Sequence, residues 1–131
     1  MTIKGGKVIN IIGLHVIIFC LITLCTYAHA AEMTKKDLLL ESTWMALHFV
    51  DWRQTVHVAK HPQEFEEMNP ILGRHPSVGR VNLYMAAGMV LHPLVSYVLP
   101  QPYKKWWQYV TIGLSGGCVV NNFTIGVKMS F

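Results

Sequence analysis

Apolar residues gather in four stretches, and polar residues mark their ends. Residues 8–25 are almost wholly apolar, broken only by Asn10, Gly13, His15 and Thr23. Residues 35–59 are mixed: Leu38, Leu39, Leu40, Trp44, Met45, Leu47, Phe49 and Val50 alternate with Glu41, His48, Asp51, Arg53, Gln54 and His57. Glu41, His48, Asp51 and Thr55 are spaced by seven, three and four, which places them along one face of a helix. Residues 81–99 carry only Asn82, His92 and Ser96 as clearly polar side chains, over a length that suits a bilayer. Residues 106–127 form the last stretch, with Gly113, Ser115, Gly116 and Gly117 near its middle. The pattern predicts mature helices over residues 35–59, 78–99 and 106–127.

The boundaries have local chemistry. Thr34 is an N-cap candidate with Asp37 three residues on. His61-Pro62 stops that helix, because the residue before proline avoids helical dihedrals. Pro62 opens a predicted short helix over residues 63–68, with Glu64, Glu66 and Glu67 near its start. Asn69-Pro70 then turns the chain, Ile71-Leu72 is an apolar pair that dips toward the bundle, and Gly73 supplies a position for unusual dihedrals. Ser77 caps the next helix, and Pro93 predicts a kink inside it. Ala86, Ala87 and Gly88, and the Gly113/Gly117 pair, offer small surfaces for close helix approach. Pro100-Gln101-Pro102 is a tight turn, followed by an aromatic and basic belt of Tyr103, Lys104, Lys105, Trp106, Trp107 and Tyr109.

Composition moves this picture into a membrane. Hydrophobic residues make up 52% and charged residues 14%, against roughly a quarter charged in soluble domains. The expected fold is all-α: a small helical membrane bundle with an N-terminal signal or anchor helix and three spanning or semi-spanning helices. Residues 1–31 read as a cleaved signal peptide, with Lys4 and Lys7 before the apolar run and Ala28-His29-Ala30-Ala31 as the cleavage pattern. An uncleaved anchor is the alternative. Residues 32–131 form the membrane domain. The net charge of +4 is spread over helix ends rather than along a stripe. That placement fits anchoring and orientation and argues against nucleic acid. Cys20, Cys25 and Cys118 lie in apolar runs with no Cys-x-x-Cys pair and read as packing residues. The expected location is the bacterial inner (plasma) membrane, multi-pass, with the lipid bilayer and other membrane subunits as partners.

Two constellations carry candidate chemistry. His48 and His92 fall near the middle of their helices. With Asp51 and Glu67 they form a candidate metal or haem site, for haem b or a divalent cation. The simpler reading is that each imidazole bonds a neighbouring carbonyl or hydroxyl and packs. The second constellation is a polar network at one end: Asp51, Gln54, Thr55, Asn82, Asn121 and Asn122 at similar depth, with Glu67 and Asn69 in the loop. In a low dielectric such groups must satisfy one another, and they are expected to clamp the loop. No residue is assigned a catalytic role, since Ser115 lacks a nucleophile elbow, and an enzyme is not the expected class.

Asp51-x-x-Gln54-Thr55, then Glu67-x-Asn69-Pro70-Ile71-Leu72-Gly73, then His75-Pro76-Ser77 with Asn82 and Tyr84, resembles a group of uncharacterised small bacterial and phage integral membrane proteins. The resemblance covers residues 47–131 and implies an architecture without a mechanism. The expected function is a structural or accessory component of a membrane complex. An intramembrane haem-, metal- or ion-binding protein and a phage-type envelope or lysis protein are the alternatives.

Overall fold

The computed structural model describes residues 32–131. The signal or anchor expected over residues 1–31, with Cys20 and Cys25, lies outside the described residues. Those described are all-helical: α1, Lys35–Lys60; α2, Val78–Val98; and α3, Tyr103–Thr124. The helix α1 packs against both others, while α2 and α3 touch each other little. Its partners give the directions. Glu41 meets His92 and Ser96, and Trp52 meets Asn82, so α2 runs antiparallel to α1. Glu41 meets Gln108 and Asp51 meets Asn122, so α3 runs parallel to α1.

Each helix end has a cause in sequence. Thr34 and Asp37 form a reciprocal capping box. Ser77 caps α2, which continues through Pro93. The third helix starts three residues earlier than its apolar pattern predicted, because Pro102 sets up the first turn and the Lys104 amide already bonds Pro100. It also ends earlier. Gly126 takes φ +86°, and the Val127 and Gly126 amides cap the carbonyls of Asn122 and Phe123. Val127 then packs inward with 2% of its surface exposed.

The short helix expected over residues 63–68 is absent. A single turn bonds Glu64 and Phe65 back to His61, and the chain then extends. Three glutamates in four positions repel one another there, and one turn cannot recover the cost of nucleation. The Asn69 side chain instead accepts from the Ile71 amide, turning the chain so that Leu72 enters the core against Val56, Val81 and Met85. Gly73 follows at φ +77°, a conformation that side chains with a Cβ avoid.

One helix among the described residues, Val78–Val98, is long and apolar enough to cross a membrane. It is about 31 Å long at 1.5 Å per residue. Neither α1 nor α3 meets the same test, because charged and polar residues interrupt both.

Candidate functional site

The inner face of α1 is Asp37, Glu41, Trp44, His48, Asp51, Thr55 and Val58, spaced four, three, four, three, four, three. That is the spacing of a coiled-coil seam, filled mostly by polar residues. At its start Asp37 is fully buried. Its carboxylate accepts from the Thr34 amide and lies 3.4 Å from the Gln101 amide nitrogen. Lys104 is also fully buried.

One turn further in, three donors converge on Glu41, which is 6% exposed. His92 Nδ1 stands 2.6 Å from Oε1, while Ser96 Oγ at 2.6 Å and Gln108 Nε2 at 3.2 Å donate to Oε2. This satisfies a carboxylate taken out of water. The far nitrogen of His92 lies 2.8 Å from Thr111 Oγ1, which also lies 2.7 Å from the Trp107 carbonyl. Thr111 has one hydroxyl hydrogen and donates it to one of the two. The Trp44 indole stacks on His92 with centroids 3.6 Å apart, and Trp107 stacks on the same imidazole at 4.9 Å. Gln108 Nε2 also donates to the Asp37 carbonyl, which leaves Gln108 Oε1 buried without a partner.

His48 sits on the same seam, stacked on Trp44 and 3.0 Å from the Met85 carbonyl through Nε2. Gly88 makes room for it: a Cβ there would lie 2.9 Å from His48 Nε2. Gly113 and Gly117, by contrast, meet nothing within 4 Å. An apolar groove of about 510 Å³ runs between α2 and α3, with Trp44, His48 and His92 among its lining residues.

The expected polar network is assembled in part. Asn122 Nδ2 donates to Asp51 and to Gln54 Oε1, both at 3.2 Å, and Gln54 reaches the Val119 carbonyl. Asn82 lies apart and accepts from the Trp52 indole at 2.8 Å. Glu67 and Asn69 bond each other within the loop, the Asn69 amide donating to Glu67 Oε1. Thr55 and Asn121 line a cavity with Asp51, Glu67 and Asn69, without bonding them. Among the described residues no side-chain hydrogen bond joins the Glu67 carboxylate to the helices. Leu72 fastens the loop instead, with Arg80 donating to the Ile71 carbonyl at 2.6 Å.

The four residues expected around a metal or haem divide into two places. His48 and His92 lie at the Trp44 groove, Asp51 and Glu67 at the loop cavity. Among the described residues no group of three or more His, Cys, Asp or Glu side chains is placed to hold a metal ion.

Sequence reasoning missed several participants: Asp37, Ser96, Lys104, Gln108 and Thr111, and the C-terminal tail. Ser130 Oγ bonds His57 Nδ1 at 2.9 Å, Lys60 donates to the Phe131 carbonyl, and the Arg53 guanidinium lies over the Phe131 ring. A signal existed for part of this. Lys104, Gln108, Thr111, Ser115 and Asn122 make a second polar stripe at helical spacing.

Comparison of the chain with protein-family models, with curated proteins and with solved structures found no match.

Proposed function

We propose that this chain is a non-enzymatic, multi-pass integral membrane protein, a structural or accessory component of a membrane complex. One observation carries the reading: its polarity is inverted. Asp37, Glu41, Gln54, His92, Lys104 and Gln108 are buried, while Leu39, Leu83, Val90, Leu114, Val120 and Phe123 face outward. Water-soluble proteins bury large apolar side chains and seldom bury Lys, Glu or Asp. A bilayer rewards the opposite arrangement, with polar groups satisfied inside the bundle. On this reading α1 and α3 also span, because Glu41, Gln54 and Gln108 turn inward. The resemblance of the loop to small bacterial and phage membrane proteins supports the bacterial inner membrane as the location.

The accessory role draws on the open side of the bundle. The small face at Gly113 and Gly117 lets another membrane helix approach closely. The test is a washed membrane preparation carrying a photo-crosslinking residue at position 117. The chain should stay in the pellet through an alkaline carbonate wash, and illumination should give a discrete protein adduct. Release by carbonate would refute membrane integration. Retention with lipid adducts alone would refute the accessory role.

A further inference from the structure

At the loop end of the bundle, α1, α3 and the loop enclose a cavity of about 570 Å³. Asp51, Glu64, Glu66 and Glu67 all line it, and no lysine or arginine does. Among the described residues Glu66 is held only loosely, 3.9 Å from Arg74 and from His75, while Asp51, Glu64 and Glu67 have no ion pair. Val58, Phe65, Met85 and Ile125 supply apolar lining on the other sides.

Thr55 is an independent sign of a ligand. Its residue surface is only 3% exposed, it lines this cavity, and its hydroxyl has no hydrogen-bond partner among the described residues. Several other helical hydroxyls, those of Ser42, Thr43 and Thr124, bond the carbonyl one turn back. Thr55 makes no such bond, and beside it the Asp51 carboxylate is engaged on one oxygen, by Asn122.

We propose that this cavity binds a small organic ammonium ion. The ammonium donates to Asp51, Glu67 and the Thr55 hydroxyl, and the organic body lies against Val58, Phe65 and Met85. The volume has room for an organic body, since it falls in the range of small-molecule sites, about 300–1,000 Å³. The side-chain placement agrees, because among the described residues no group of three or more His, Cys, Asp or Glu is placed to hold a metal ion. The proposal goes beyond the membrane reading and stands independently of it.

The test is a fluorescence titration of the detergent-solubilised full chain with dansylcadaverine, a primary amine with an apolar body. N-acetylated dansylcadaverine is the uncharged control. The parent should bind the amine saturably with one site, and the acetylated probe at least tenfold more weakly. Asp51→Asn, which keeps an acceptor for Asn122, and Glu67→Gln should each weaken binding about tenfold or more. Thr55→Val should weaken it severalfold and Thr55→Ser should not. Circular dichroism of each variant should match the parent, and Glu67→Gln, on the loop, decides if Asp51→Asn misfolds. Absence of saturable binding, equal binding of the acetylated probe, unchanged binding by Glu67→Gln, or displacement by micromolar calcium would each overturn the proposal.

Discussion

Moving a carboxylate such as Glu41 away from water costs several kcal/mol unless donors replace the hydration shell. His92, Ser96 and Gln108 supply those donors from two other helices. Removing one member therefore does more harm than removing both. His92→Leu should destabilise the bundle by about 3–5 kcal/mol, the range for breaking a buried pair. Glu41→Leu combined with His92→Leu should recover most of that loss. A double-mutant cycle by reversible unfolding in mixed micelles checks this, and additive losses would show that the pair is not coupled. The glycines give a second contrast. Gly88→Ala drives a Cβ toward His48, which is tied to Met85, and should cost about 1–3 kcal/mol. Gly117→Ala meets open space and should be neutral or up to about 1 kcal/mol stabilising through helix propensity. Thermal unfolding of the two variants side by side decides it.

At the scale of elements, the loop between α1 and α2 is held by an apolar peg. Leu72→Ala should cost about 2–5 kcal/mol, as for other large-to-small core changes. Asn69→Ala removes only the turn bond to Ile71 and should cost about 1 kcal/mol. If denaturation ranks them the other way, the polar turn and not Leu72 fastens the loop. The helices themselves were legible, because Thr34, Pro62, Ser77 and Pro100 punctuate runs of strong apolar character. The stripe of Glu41, His48, Asp51 and Thr55 was legible too, since helical spacing alone puts those residues on one face. Their partners were not. Which residue of α2 meets Glu41 depends on how far α2 slides along α1, and that is set by where Leu72 seats and by the turn at Pro100–Pro102. Nothing local to His92 records it. The end of α3 was overrun for a different reason: apolar Ile125 and Val127 continue the pattern past Gly126, although Gly126 is the residue that stops the helix.

Over the described residues as a whole, the interior holds charge and amide groups beside a small apolar core, and the surface of all three helices holds leucine, valine and aromatic side chains. On the proposed reading the solvent that makes this arrangement stable is the bilayer, and that proposal is the centre of the account. It is tested most directly by nitroxide labels at Phe49, Leu91 and Leu114, outward positions on α1, α2 and α3, in a variant with Cys20, Cys25 and Cys118 changed to serine. The labelled protein is reconstituted in lipid vesicles, with Met68 in the loop labelled as the aqueous reference. Electron paramagnetic resonance then compares collisions with oxygen, which concentrates in the bilayer, and with a water-soluble nickel chelate. The account predicts that oxygen collisions dominate at all three helix positions while nickel dominates at Met68. Nickel accessibility at Phe49 and Leu114 equal to that at Met68 would contradict it.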